Sequence, residues 1–520
     1  MSIRDTPGAG SPTTAINEDT IATNTTKSGS NNAAEPSESD EPSSKRARLH
    51  SGTETNDNLE TNTSSGMIRC PYLDTIDRAV LDFDFEKLCS ISLTNNNVYA
   101  CLVCGKYFQG RGPRSHAYTH SVHVGHHVFL NLNTHRFFCL PDNYEIHDTS
   151  LADIKHQLDP KFTPEDIATL DTGEDWSRSL TGVLYLPGVV GLNNIKSNDY
   201  MNVVLQSLSH VTAIRDYFLQ ECNYGGIKRP PGDQLFLLVT QFGGLIRKLW
   251  NKRNFKAHVS PHEMLQAVVH VSRKRFQITR QGDAIEFLAW LLNSLHIALG
   301  GSKKTQTVIT RTFQGHLKMY SKRLPNSTDD TEIDPIAQTL LLLEAEEVCE
   351  ECPFLYLTLD VPPPPLFGDE MDRNSIPQVS LSELFSKFDT KTQKEYRTNK
   401  ETIFRRFEIT KLPKYLILYI KRFTKNIFYT EKNPTIVNFP IKQLDLSEFV
   451  PKNSDFLGIY NLVANVVHDG MPNGGSYRIH LQHKGAKHWF EMQDLHVTDL
   501  LPEMISLSEA YIQIYELCSD

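Results

Sequence analysis

Residues 191–206 read GLNNIKSNDYMNVVLQ, a Gly- and Asn-rich turn that opens onto an apolar run continuing to YMNVVLQSLSHV at 200–211. The run has helical periodicity, and Asp199 stands at its start. A carboxylate there can satisfy free amides and complement the helix dipole, worth roughly 0.5 to 2 kcal/mol. Outward from this point the chain continues with helical patterns, DQLFLLVTQFGGLIRKLW at 233–250, HEMLQAVVHV at 262–271 and DAIEFLAWLLNSLHIAL at 283–299. Strand-like runs follow: FLYLTLDV, YLILYIKRF, YNLVANVVH, SYRIHLQH and YIQIYEL. Helices first and antiparallel strands afterwards predict an α+β domain. No internal repeat of fixed period is present.

The chain's 520 residues and 39% apolar content allow about two to four domains with sizeable cores. No apolar run approaches the roughly 20 residues that span a bilayer, and the first residues lack the apolar core of a secretory signal. An intracellular protein without a membrane segment is expected. A formal charge of -9 argues against nucleic-acid binding through a general field, while leaving local basic patches open. The 9 cysteines are odd in number and clustered, which suits a metal site in a reducing compartment better than a disulfide framework.

Residues 1–66 carry almost no aliphatic pairs and no aromatic residue, so they cannot offset the entropy of ordering and are expected to be disordered. Within them Lys45, Arg46 and Arg48 follow an acidic segment, a contrast that reads as a short nuclear-import signal or as solvated tail. Residues 67–166 form a Cys-, His- and aromatic-rich domain, 167–182 a linker, and 183–520 the α+β domain.

In the Cys/His-rich domain, YACLVCGKYFQGRG at 99–112 contains Cys101 and Cys104, and HAYTHSVHVGHHVFLNL at 116–132 supplies five histidines. Two thiolates two residues apart grip one face of a tetrahedral zinc ion, and two imidazoles six apart, His120 and His126, close the other. Such an ion contributes on the order of 10 kcal/mol of folding free energy. Cys349 and Cys352 in VCEECPF form a second CxxC with no further pair nearby, which leaves a metal two ligands short.

The 191–206 stretch resembles the cysteine box of ubiquitin-specific proteases, GLxNLGNTCYMNSxLQ, with Asp199 at the catalytic cysteine. YNLVANVVHDGMPNGGSY at 460–477 resembles the histidine box YxLxAVxxHxGxxxxGHY, with Ser476 at the catalytic histidine. WFEMQD at 489–494 aligns with WxxFDD and puts Gln493 at the first Asp. QGDAIEFL at 281–288, FQG at 313–315 and YLILYIKRF at 415–423 complete the likeness, and Asn194 keeps the oxyanion-donor position. Residues 68–165 resemble the UBP-type zinc finger, whose first CxxC pairs with its last two histidines. Gln109 stands at the third cysteine position, and Tyr72 and Asp142 stand where further ligands would be.

The resemblance implies a degenerate papain-like fold with thumb, palm and fingers, one structural zinc on Cys101, Cys104, His120 and His126, and no catalysis. An Asp is a poor nucleophile toward an amide, and loss of one triad member alone costs about a million-fold in subtilisin. His480, four residues along a strand from Ser476, would lie roughly 13 Å away. His468 reads as a strand-end turn residue and Cys222 as a buried thiol. Residues 317–351 resemble a divergent fingers segment with a helix near IAQTLLLLEAEE. Arg111 occupies the ubiquitin-tail position of the finger, but Phe138 and Leu140 replace the usual cage aromatics, which argues against ubiquitin capture.

CPYLDTIDRAVLDFDFEKLCSISL at 70–93, YLPGVVGLNNIKSNDY at 185–200 and EKNPTIVNFPI at 431–441 are similar to the branch of the family that lacks Cys and His and serves in splicing. That likeness implies a nuclear, non-catalytic role in assembling or stabilising the spliceosomal tri-snRNP, with tri-snRNP proteins as partners. An unorthodox deubiquitinase acting through Cys222 and a ubiquitin-binding reader are the alternatives. RKLWNKRNFKAH at 247–258 offers one candidate contact surface: Arg247, Lys248, Trp250, Lys252, Arg253 and Lys256 could meet snRNA or an acidic protein. The same run also reads as a charged helix end with two core aromatics.

Overall fold

The computed structural model describes residues 70–518 apart from 228, 229, 231, 326–345, 364–375, 398–400, 426–428, 451–457 and 473. The expected disordered tail with its import-like segment, and most of the expected helix at 336–347, lie outside the described residues.

The first domain is a five-stranded antiparallel sheet, β1 (Val98–Cys101), β2 (Tyr107–Gln109), β3 (Val128–Asn131), β4 (Phe137–Cys139) and β5 (Tyr144–Ile146), in the order β2-β1-β3-β4-β5. Helix α1 (His116–Val124) crosses from β2 to β3 and ends on Gly125, whose left-handed backbone (φ 77°) turns the chain back.

In the second domain, α2 (Asp199–Ser209) is buried at every position. Several of its polar members are hydrogen-bonded, as burial favours: Gln206 donates to the Val190 carbonyl at 2.7 Å and Ser207 to the Val203 carbonyl at 2.6 Å. Around it pack α3 (Gln234–Leu249), α4 (His262–Val271), α5 (Ala284–Ala298) and α6 (Val308–Phe313). Asp233 and Asp283 start α3 and α5 by accepting from the backbone N–H groups of Leu235 and Ile285.

The strands follow: β6 (Gly315–Pro325), β7 (Val348–Phe354), β8 (Leu357–Asp360), β9 (Lys394–Arg397), β10 (Glu401–Lys411), β11 (Tyr415–Lys421), β12 (Ile459–Asp469), β13 (Ser476–His483), β14 (His488–Gln493), β15 (His496–Leu500) and β16 (Ala510–Leu517). Four form the finger-like sheet β7-β6-β10-β9. The larger sheet runs β8-β11-β16-β12-β13-β14-β15, antiparallel except where β8 meets β11. One core cluster joins the helices to this sheet, so the α+β reading holds, with a helical thumb against a sheet palm.

The expected linker is packed rather than free. Leu170 is buried in the large core, and Asp171 receives both Arg215 terminal nitrogens at 2.7 and 2.9 Å. Among the described residues no helix is long and apolar enough to cross a membrane.

Candidate functional site

The zinc candidates come from three elements. Cys101 ends β1, Cys104 sits in the turn closed by the Gly105 N–H to the Cys101 carbonyl (2.9 Å), His120 projects from α1, and His126 follows Gly125. A Cβ at Gly105 would lie 2.4 Å from the Val80 carbonyl oxygen, so only glycine closes this turn. The four ligand atoms lie within 4.8 Å of one another. Cys101 Sγ to His126 Nδ1 is 3.4 Å, Cys104 Sγ to His120 Nε2 is 3.5 Å, and His120 Nε2 to His126 Nδ1 is 3.1 Å. A tetrahedron with ordinary Zn–S and Zn–N bonds has S–N edges of about 3.6 Å and N–N edges of about 3.3 Å. The donor set therefore fits a zinc ion. Burial holds His120 and His126 below the usual imidazole range, in the neutral form that ligates.

Arg111 does not point outward. Its guanidinium lies 4.0 Å over the Phe138 ring, so the aromatic that would cage a ligand is covered by the protein's own side chain. Cys349 and Cys352 lie on β7 three residues apart, hence on opposite faces, one exposed and one buried, and cannot share a metal.

At the start of α2 the geometry departs from a simple helix cap. Asp199 is the first helical residue, after Asn198, and its Oδ2 accepts from the Tyr477 N–H of β13 at 3.0 Å and from Gln281 Nε2 at 2.6 Å. The Gln281 amide also reaches the Gly475 carbonyl at 2.9 Å. Burial raises the Asp199 carboxyl above its ordinary range, the two donors opposing it and Asp494 adding to it. The expected cap is thus a tie across the thumb–palm cleft.

Ser476 and Gln493 are brought together, with Gln493 Nε2 donating to Ser476 Oγ at 3.3 Å. Asn194 does not stand free as an oxyanion donor. Its amide donates to Asp494 at 3.0 Å and its oxygen accepts from the Asn198 N–H at 3.2 Å. The second Asp494 oxygen accepts from Asn202 at 3.0 Å. Asp494 and Gln281 were not singled out from the sequence, although both lie inside the quoted motifs.

The remaining candidate nucleophile and bases are placed as follows. His480 is buried against Asn465 and Glu491, at 3.2 and 3.1 Å. His468, read as a turn residue, is a buried residue of β12 between Phe423 and Tyr477, with ring centroids 5.1 and 4.8 Å away. Burial and Lys432 push its imidazole down to about 4, so it stays neutral. Cys222, read as a buried thiol, is exposed on a short helix, Cys222–Gly225.

The candidate contact surface at 247–256 is mostly a seam inside the protein. Trp250 is 2% exposed and donates to the Ser209 carbonyl, so it has no face to offer a base. Lys248 meets Asp84 at 3.0 Å, Glu263 at 3.8 Å and the Phe83 carbonyl at 3.1 Å. Lys256 meets Asp82 at 2.5 Å, and Arg247 reaches Asp159 at 3.6 Å and the Tyr224 hydroxyl. Phe255 packs into the zinc-finger core itself. Burial works against the Lys248 charge, but Asp84 and Glu263 outweigh it and hold the ammonium above its ordinary range. Lys252 is exposed and paired with Asp175 at 2.7 Å, and Arg253 is exposed. The acidic 82–86 segment of the first domain was the missing partner.

Residues 190–515 match the profile of the family described as "Ubiquitin carboxyl-terminal hydrolase". The chain belongs to that family. Residues 89–151 match "Zn-finger in ubiquitin-hydrolases and other protein". Ubiquitin carboxyl-terminal hydrolase 39 of Homo sapiens is 60% identical over 451 residues, 86% of this chain and 80% of that protein. The probable mRNA-splicing protein ubp10 of Schizosaccharomyces pombe is 42% identical over 466 residues, 86% of this chain and 88% of that protein. A solved structure described as that of an essential yeast splicing factor superposes with TM-score 0.67 at 29% identity, covering 86% of this chain and all of that one (100%).

Proposed function

We propose that this family member is a non-catalytic nuclear splicing factor that helps assemble or stabilise the spliceosomal tri-snRNP, using the hydrolase fold as a protein-binding scaffold. The observation that carries the non-catalytic reading is Asp199. At the position where the family's pattern has its nucleophile, the chain holds a buried carboxylate occupied by the Tyr477 N–H and Gln281. A serine hydrogen-bonded to a glutamine stands where the base and its orienting carboxylate would be, and neither can take up a proton at neutral pH. The splicing reading rests on relatives whose names carry that role and which align over both domains.

One structural zinc on Cys101, Cys104, His120 and His126 is part of the proposal. Zinc there fixes the turn, helix and strand that carry its ligands, and those elements position the acidic segment that docks on the second domain. Ubiquitin is not proposed as a ligand, since Arg111 covers Phe138.

Affinity purification of the full chain from nuclear extract, with identification of bound proteins and RNAs, tests the reading. Tri-snRNP proteins and their snRNAs are expected, and their absence refutes it. A ubiquitin electrophile is expected to leave the protein unlabelled, and an adduct on Cys222 would restore the deubiquitinase alternative. Titration with ubiquitin separates the reader alternative, for which saturable binding is required.

A further inference from the structure

A groove of about 460 Å³ opens where α6, the β10–β11 connection and the end of β16 meet. Its charged lining is of one sign: Arg311 from α6, His316 from β6, and Lys411 and Lys414 around the β10–β11 connection, with no carboxylate among the lining residues. Arg311, Lys411 and Lys414 are exposed, and no salt bridge joins any of them to a carboxylate among the described residues. Two acids flank the lining: Glu351, 3.9 Å from His316, and Glu516, whose charge acts on the lining Cys518. On a chain with net charge -9, three cations with no carboxylate partner among the described residues, converging on one concavity, are a local reversal of sign.

The apolar lining residues are Leu412 and Pro413, both nearly covered, and Leu517, which is partly exposed; Gln306, Thr310 and Gln314 are polar and uncharged. No Phe, Tyr or Trp lines the groove, so the planar groups it could offer a nucleotide base are the His316 ring and the Arg311 guanidinium. Cations beside aliphatic side chains match carboxylates that flank an aliphatic side chain.

We propose that this groove docks an acidic segment of a partner protein, with Asp or Glu side chains on Arg311, Lys411 and Lys414 and one aliphatic side chain against Leu412 and Leu517. The site lies away from the Asp199 cleft and is independent of the splicing reading: acidic-peptide binding and recovery of tri-snRNP components are separate measurements.

The test uses the full chain and fluorescence anisotropy with three labelled probes: the peptide DEDELDED, its variant DEDEADED, and an eight-nucleotide oligouridylate. The first peptide is expected to bind saturably, and the leucine-to-alanine change to weaken it several-fold. Lys411→Glu/Lys414→Glu is expected to weaken it about tenfold or more. The charge-matched Lys155→Glu/Lys161→Glu, on exposed positions of the zinc-finger domain, is expected to leave it within about twofold. The milder Arg311→Gln gives a second reading of the groove if the double reversal lowers the melting temperature. Equal losses from both double variants, no binding of DEDELDED, no effect of removing the leucine, or tighter binding of the oligouridylate that Lys411→Glu/Lys414→Glu abolishes would each overturn the proposal.

Discussion

Lys248→Met removes one ammonium and leaves its aliphatic stem, and the seam between the two domains predicts a large effect. Lys248 is 11% exposed at its side chain and Asp84 12%. The Asp84 carboxylate would keep only the Ser260 N–H at 2.9 Å among its seam partners, and the Phe83 carbonyl would lose its Lys248 donor. Removing one member of a buried pair costs about 3 to 5 kcal/mol, because the other charge stays buried without compensation. Lys252→Met is the internal control from the same stretch of sequence. Its pair with Asp175 is 39% and 63% exposed, and such pairs contribute about 0 to 1 kcal/mol. Urea unfolding of the full chain at pH 7, followed by circular dichroism, reads both. Lys248→Met is expected to lower the midpoint sharply and to expose the 167–182 segment to protease, with Lys252→Met near wild type. Adding Asp84→Asn to Lys248→Met should recover part of the loss, with a coupling of about 1 to 3 kcal/mol. A Lys248→Met cost below about 1 kcal/mol, or one equal to that of Lys252→Met, refutes the buried-seam account. Loss of RNA affinity at unchanged stability would return the stretch to a surface role.

Chelation of zinc is expected to unfold residues 70–166 and, through the seam, to lower the melting temperature of the second domain as well. Calorimetry with and without chelator reads both, and an unchanged trace refutes the assignment of the four ligands. Asp199→Ala is expected to cost about 1 to 3 kcal/mol by leaving the buried Tyr477 N–H unpaired, and Asp199→Cys a similar amount, measured by urea midpoint. Acid should destabilise the fold through its buried neutral imidazoles. His468 is depressed to about 4 and His210 to about 3, so between an unfolded value near 6.5 and those values the unfolded chain binds more protons. Their contribution is complete above pH 6.5 and falls as the pH drops, by about 2 kcal/mol each at pH 5. His468→Gln should reduce the slope of stability against pH by about one proton, and an unchanged slope refutes the assignment.

The elements that were legible in the sequence owe their form to near neighbours. The 262–271 pattern became α4 residue for residue, and the apolar runs at 415–423 and 460–468 became β11 and β12, because local periodicity and burial agree there. The four zinc candidates also came together, since a CxxC turn and a helix ending on glycine fix their directions locally. Legibility failed where the deciding partner is remote. Lys248 and the Phe83 carbonyl are 165 positions apart, and Asp199 and the Tyr477 N–H are 278 apart. Read alone, 247–256 suits snRNA or an acidic protein and equally a charged helix end with two core aromatics, and Trp250 and Phe255 are indeed buried. Placed against the acidic 82–86 segment, it is the charged half of an internal interface. His468 failed for a related reason: a histidine before Asp-Gly reads as a turn, but β12 runs on through Asp469 and carries it into an aromatic box.

A buried polar side chain needs a partner, so the residues of this cleft are constrained by hydrogen bonding. Asp199 is tolerated because two donors, the Tyr477 N–H and Gln281, converge on one of its oxygens. Ser476 and Gln493 are tolerated because they bond each other, and Asp494 persists because two asparagines depend on it. Asp199 and Asp494 tie the thumb to the palm, while Ser476 and Gln493 join two neighbouring palm strands, β13 and β14. Asp199→Cys therefore removes a structural tie without supplying an imidazole at 476, which is why it should lower stability and still leave the protein unreactive toward a ubiquitin electrophile.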